Sequence, residues 1–326
     1  MPFKSTFNAL KGQLKDLQNE GQKFLGGSSQ PSGQPQYQYN RPPPPPPQHA
    51  AMFAQGNPGG GQPNQGVYWA ARFDPNTQIS QEWEEKLGNN NGWGNNELQH
   101  YTNDRVNSFF TPNNLLVLRA ISAPTTPDPA RKYTSARLVS RQRLGRPRGS
   151  LVATLTLPCA AGIWPAFWLL PFEPFTWPHE GEVDIAETWN GDGINHSCLH
   201  WGFYTPEDNW KHRVVGTFVQ GMQQGRPVRY EFAWNQDEGS GQGRMVWYID
   251  GRPVMKAPIP QGTRKMADFV ILLNIAMGGN VTQGRTPDDG TYDFVVHELK
   301  MLDQPENGGW GKFDQDFNIT REGDTI

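Results

Sequence analysis

The stretch Arg244-Met-Val-Trp-Tyr-Ile-Asp-Gly-Arg-Pro-Val-Met255, "RMVWYIDGRPVM", decides the fold. Asp250-Gly251 is a two-residue hairpin signal, so the segment predicts adjacent strands. Outward from it the chain repeats one theme. "LLVLRAI", "ARLVSRQ", "SLVATLTL", "AFWLLP", "EVDIAE", "HSCLHWG", "VRYEFAW", "VILLNIAM" and "YDFVVHELKML" are short aliphatic or alternating runs separated by Gly, Pro and Asn. Helical periodicity never persists beyond about 12 residues between them, which argues against a parallel α/β sheet. The class expected is all-β, with antiparallel sheets packed as a sandwich.

Composition limits where the core lies. Of 326 residues, numbers 26–66 are rich in Gly, Pro, Gln and Asn and contain the run Pro42–Pro47. Such a segment buries too little apolar surface to offset its ordering entropy, so a disordered linker is expected there. Residues 67–326 then form one folded domain. Ahead of the linker, Phe3, Phe7, Leu10, Leu14, Leu17 and Phe24 recur at steps of three and four, with Gly21 in the vacant place. The spacing predicts a short amphipathic helix within residues 1–25, able to make weak contact with a membrane surface or partner through residues 3–25. No apolar run reaches the length of a membrane span, and no apolar core of a secretory signal is present, so the expected compartment is undecided between the cytoplasm and non-classical export.

The net charge of −3 and charged fraction of 19% give no general attraction to polyanions. Residues 131–148 carry seven Arg or Lys and no acid, but a single aromatic, Tyr133, and read as a solvated basic edge, not a nucleic-acid surface. The two cysteines, Cys159 and Cys198, are too few for a disulfide framework or a zinc site by themselves, and are expected to be buried thiols.

The chemistry concentrates in Glu180-Gly-Glu-Val-Asp-Ile-Ala-Glu187. In a strand Glu182 and Asp184 share one face while Val183 and Ile185 enter the core. Glu187, five residues from Glu182, would then point into the core, at high cost if unpaired. A β-bulge between Ile185 and Glu187 restores the parity and is expected here. A calcium loop fits poorly, because the acids alternate with β-branched core residues. A solvated face fits poorly too, because the next 20 residues contain no Lys or Arg. Paired carboxylates on one face are what glycosidic bond cleavage needs, and the 12 Trp of the chain, many in turn-rich segments such as those at 93, 164, 168, 177, 189 and 201, offer flat faces for sugar rings.

"GEVDIAE" resembles the bulged E-x-D-x-x-E signature of glycoside hydrolase family 16, in its laminarinase-type endo-β-1,3-glucanases. "GWGNNELQHYT", "YTSARL", "GIWPAFWLLP", "LHWG", "VWYIDGRPV" and "LLNIAMGGN" resemble further blocks of that family, in its order. The resemblance implies a concanavalin-like β-jelly-roll and a retaining endo-acting enzyme on β-1,3- or mixed β-1,3/1,4-glucan. Glu182 is implied as nucleophile, Glu187 as general acid/base, and Asp184 as the group that orients Glu182. Asn95, Arg137, Trp164, Trp168 and His200 are implied as substrate-binding residues. No cofactor is required by it. A transglycosylase of the same family and a non-catalytic glucan-binding module are the alternatives. Where relatives open with Asp-Glu-Phe this chain has Ala71-Arg72-Phe73, which weakens a structural calcium site whose other end would be Asp293. Sequons stand at Asn195, Asn280 and Asn318.

Overall fold

The computed structural model describes residues 66–325. The expected amphipathic helix and the proline-rich linker up to residue 65 lie outside the described residues.

Asp250 and Gly251 have φ of 49° and 72°, the left-handed pair that lets two residues join Gly243–Ile249 to Arg252–Pro258. From that hairpin one sheet runs through Val228–Gln236, Arg148–Thr156, Gly290–Leu302, Leu116–Ser122, Tyr133–Ser135 and His100–Tyr101, with Val67–Ala70 and Ser108–Phe110 as side branches. The second sheet follows the order Asp324–Thr325, His212–Phe218, Ile194–His200, Glu182–Glu187, Ile163–Pro171, Phe269–Met277, Arg137–Arg143 and Trp83–Lys86. All strand pairs are antiparallel except His100–Tyr101 with Tyr133–Ser135. The two stacked sheets form the β-jelly-roll.

Alternation decides what fills the space between them. Phe167, Leu169, Val183, Ile185, Leu273 and Ile275 of the second sheet are buried in one cluster with Leu151, Phe232, Trp247, Phe294 and Met301 of the first. Each such side chain contributes roughly 1.5–3 kcal/mol by leaving water. The first sheet also needs cover on its outer face, where Ala233, Val246 and Tyr248 point away from the core. A helix, Gly309–Ile319, supplies it with Phe313, Trp310 and Phe317. This helix was not expected from the sequence: Gly309 and Gly311 weaken its propensity, and packing on the sheet overrides that weakness. Among the described residues no helix is long and apolar enough to cross a membrane.

The loop Asn90–Gly94 enters the region of the site with left-handed φ at Asn90, Asn91, Gly92, Trp93 and Gly94. It rests on Gly279, where a β-carbon would lie 2.4 Å from the Asn95 carbonyl oxygen and where φ is already 78°. Only glycine permits that approach.

Candidate active site

The outer face of the second sheet carries a cleft of about 1180 Å³. Its floor follows strand parity. Trp164, Ala166, Trp168 and Leu170 come from one strand; Ile194, His196, Cys198 and His200 from another; Asn274 and Ala276 from a third. Trp164 and Trp168 thus sit on a strand, not in the turn-rich setting anticipated for them.

Glu182–Glu187 crosses the middle of this floor. Against the neighbouring strand Asp184 faces Trp168 and Glu187 faces Ala166, while Ile185 has no partner, so Ile185 is the extra residue of a bulge. The bulge puts Glu182, Asp184 and Glu187 together in the cleft lining, while Val183, Ile185 and Ala186 are buried beneath. It also strands backbone groups, and side chains satisfy them. Asn195 donates to the Ile185 carbonyl at 3.2 Å and accepts from the Glu187 amide at 3.2 Å, imitating a ladder pair. The Trp247 indole reaches across the core to the Asp184 carbonyl at 3.0 Å. Asn195 is completely buried, which removes its sequon from use.

Replacing Asn195 by alanine leaves a buried amide and a buried carbonyl unpaired, a penalty of about 1–3 kcal/mol for such a group. Asn195→Ala should therefore unfold at lower denaturant concentration and lower kcat more than it raises KM. Unaltered stability and kcat would mean that the bulge keeps its shape without this amide.

Electrostatics separates the acids. Burial pushes the Glu182 carboxyl above the ordinary range, and the Trp177 indole, which donates to it, and the Arg137 charge pull it part of the way back. Burial pushes Glu187 up as well, the neighbouring Glu182 and Glu97 push it further, and only the Trp164 indole at 2.5 Å and the Cys198 thiol oppose. Asp184 lies between them, raised well above its usual value by burial and then by both glutamates. Of the three, Glu182 alone has a cationic neighbour favouring its anion, whereas Asp184 and Glu187 are pushed toward their protonated forms by burial and by neighbouring acids.

A carboxyl whose folded pKa is raised stabilises the fold below its unfolded pKa and loses that contribution as pH rises through the folded one. For Asp184 the loss falls above the ordinary carboxylate range, and every tenfold weakening of the acid on folding corresponds to about 1.4 kcal/mol. Asp184→Asn should gain Tm over the parent as pH rises from 5 to 9, by about 2–4 °C per kcal/mol. Its turnover should fall at the same time. A Tm difference that does not grow with pH would contradict the placement of Asp184 as a crowded buried acid.

The other anticipated residues reach the cleft in different ways. Arg137 is held between Trp93 and Trp168, its guanidinium carbon 4.6 and 4.8 Å from the two rings, and its Nε is buried without a protein acceptor. Asn95 lines the cleft and donates to Glu97 at 3.3 Å. His200 lines the cleft floor, its Nε2 3.5 Å from Asp184 and its Nδ1 3.0 Å from His212 Nδ1. Glu180, the fourth acid of the motif, pairs with Arg264 at 2.5 Å and leaves the group.

Sequence reasoning missed the roles of Glu97, Asn195, Asn274 and Cys198 in the site, and named Trp93 only as one indole among several. Glu97 is buried, driven up to about 7 by that burial, and held by Gln99 at 2.5 Å. Its signal was available in the "GWGNNELQ" block; Asn195 gave none, because its role depends on a backbone defect in another strand. Neither cysteine is in a disulfide.

A model described as the XgeA-like, catalytic GH16 domain matches residues 111–239. The chain is 29% identical over 265 residues to the β-glucanase of Rhodothermus marinus, covering 73% of this chain and 85% of that one. It is also 29% identical to glucan endo-1,3-beta-glucosidase A1 of Niallia circulans, over 68% of this chain but only 35% of that protein. The solved catalytic domain LamAcat of Zobellia galactanivorans superposes with TM-score 0.58 at 28% identity, covering 72% of this chain and 97% of the other. Two stacked sheets with a row of carboxyls on the floor of an aromatic cleft define a glycosidase of the jelly-roll type. Over residues 111–239 the chain is similar to the catalytic domain of glycoside hydrolase family 16, and over its described fold to β-glucanases and a laminarinase-type catalytic domain.

Proposed function

We propose that this protein is a retaining endo-glucanase acting on β-1,3- or mixed β-1,3/1,4-glucan. The observation that carries the reading is the bulge at Ile185, which returns Glu187 to the face of Glu182 and Asp184. The names of the relatives, a β-glucanase and a glucan endo-1,3-beta-glucosidase, support the choice of polymer.

In this reading Glu182 attacks the anomeric carbon while Glu187 gives its proton to the departing glycosidic oxygen. The glycosyl group is then esterified to Glu182, and Glu187, now ionised, takes a proton from the water that releases it. The acids have matching environments. Glu182 has the indole and guanidinium that favour its anion, whereas Glu187 faces further acids that favour its protonated form. Asp184 orients Glu182 and shares the local proton balance. Trp164 and Trp168 offer faces to sugar rings, and the donors of Arg137 and Asn95 suit hydroxyls.

These steps call on no metal. At the place considered for calcium, Arg119 spans both oxygens of Asp293 at 2.7 and 2.8 Å, and Arg72 turns to Glu82. A guanidinium already neutralises that carboxylate, which speaks against an ion there.

The test is the product pattern of the purified chain on laminarin, lichenan, xyloglucan and agarose, with a labelled oligosaccharide as acceptor. Short oligosaccharides from laminarin and lichenan, without label transfer, are expected. Release from agarose alone would redirect the substrate, and dominant label transfer would make the protein a transglycosylase.

A further inference from the structure

One cluster at the cleft floor joins Asp184 to two side chains that this chemistry does not use. Asp184 and Cys198 are direct partners on adjacent strands, Glu182 pairs with His200 next to them, and the Asp184 oxygen, Cys198 Sγ and a His200 nitrogen lie within 4.8 Å of one another. Neither step of the proposed hydrolysis bonds the Cys198 sulfur. We infer that Asp184, Cys198 and His200 form a binding site for Zn²⁺ or a similar thiophilic divalent cation, whose occupation switches the enzyme off.

The histidine is already oriented for it. His212 Nε2 lies 3.4 Å from the Phe203 carbonyl, which can only accept, so this nitrogen carries the proton. His212 Nδ1 is then an acceptor, and the contact of 3.0 Å with His200 Nδ1 requires the proton on His200. The remaining nitrogen, His200 Nε2, presents its lone pair toward Asp184 at 3.5 Å. Fixing one ring nitrogen so that the other is free is how metal-binding histidines are held.

The separations suit the ion. Bonds of about 2.0–2.3 Å in a tetrahedron place ligand atoms about 3.3–3.8 Å apart. The Asp184–His200 pair meets that at 3.5 Å, and the thiol needs a shift of about 1 Å at most to join. A sulfur, an imidazole nitrogen and one carboxylate oxygen select zinc-like ions over Ca²⁺ or Mg²⁺, which prefer all-oxygen shells. On binding, the Cys198 thiol and the Asp184 carboxyl, and Glu187 where it joins, give their protons to solvent, and the thiolate and carboxylates bond the cation. Glu187 Oε2 lies 3.9 Å from the same sulfur, close enough to become the fourth ligand. The bound ion removes Asp184 and engages Glu187, which stops turnover. Inhibition rests on the catalytic reading above, whereas binding rests on the cluster alone.

Titrating the intact protein with Co²⁺ separates the two. One equivalent should give a thiolate-to-Co²⁺ charge-transfer band in the parent and in Cys159→Ser, none in Cys198→Ser, and a weakened one in His200→Gln, with circular dichroism verifying the fold of each. Zn²⁺ should displace the band, while Ca²⁺ and Mg²⁺ should not. In laminarin hydrolysis, each variant measured against its own metal-free rate, Cys198→Ser should need about tenfold or more Zn²⁺ for half-inhibition. Absence of the band in the parent, or its persistence in Cys198→Ser, overturns the site. A band without inhibition of an active enzyme overturns the switch. A band in a parent that hydrolyses no glucan upholds the site and defeats the proposed function instead.

Discussion

Replacing Glu182 by alanine is expected to lower kcat on laminarin by about 10⁴-fold or more, the scale for loss of an essential covalent nucleophile. The thermal transition should survive, because Glu182 is half-buried at the cleft and its neighbours Val183 and Leu199 carry the packing. Its carboxylate accepts from the Trp177 indole, which is exposed enough to reorient. Activity within tenfold of the parent would remove Glu182 from the mechanism. Loss of the cooperative transition would instead make it a structural residue.

The second large effect is at Glu187. Glu187→Gln keeps the hydrogen bonds from Trp164 and the Asn195 support of its amide but lacks the titrating proton. General acid catalysis is worth about 10²–10⁴-fold, so kcat on laminarin should fall by that factor. The sign of the pH dependence distinguishes the two acids. In the parent, activity should rise as Glu182 ionises and fall as Glu187 loses its proton, and both limbs should lie above the ordinary carboxylate range because burial raises both groups. In Glu187→Gln the alkaline limb should vanish while the acid limb remains. For an aryl glucoside whose leaving group needs no proton, the first step should be nearly unaffected, and added azide should speed the second step of Glu187→Ala. An alkaline limb that persists in Glu187→Gln would assign it to another raised acid of the cleft, Asp184 or Glu97.

Much of the architecture was legible because period-2 patterning and turn chemistry are local. Asp250-Gly251 specified its hairpin without help from the rest of the chain, and the alternation of Val183 and Ile185 with Glu182 and Asp184 specified which face was buried. The bulge was legible for the same reason: parity left Glu187 facing the core, and only an extra residue could return it. What escaped was non-local. The helix Gly309–Ile319 has two glycines in its first turn and exists because Ala233, Val246 and Tyr248 need cover. Asn195 was legible only as a sequon and is a buried bracket whose partners lie 8 and 10 residues away. His200 looked like a sugar contact, yet its position depends on His212, a residue of the next strand. Arg137 was first one cation among seven in a basic run, and its sandwich between Trp93 and Trp168 required three separate segments to meet.

That sandwich also bears on the cleft's selectivity. A guanidinium stacked on two indoles is held in a plane, so its free edge presents donors in a fixed fork. Trp93 covers one side of it, with its own indole nitrogen buried without a protein partner. Elsewhere in the lining the Trp177 and Tyr204 rings lie 5.4 Å apart, and Phe203, next in the chain to Tyr204, is exposed.

The central claim is that a bulged strand places a nucleophile and an acid on one face so that cleavage proceeds through a glycosyl-enzyme. Proton NMR of the first sugar ends released from laminarin, recorded before mutarotation, tests it most directly. The β-anomer is predicted, because two displacements at one carbon restore its configuration. The α-anomer would contradict the account, since it requires direct attack by water and leaves Glu182 no covalent role.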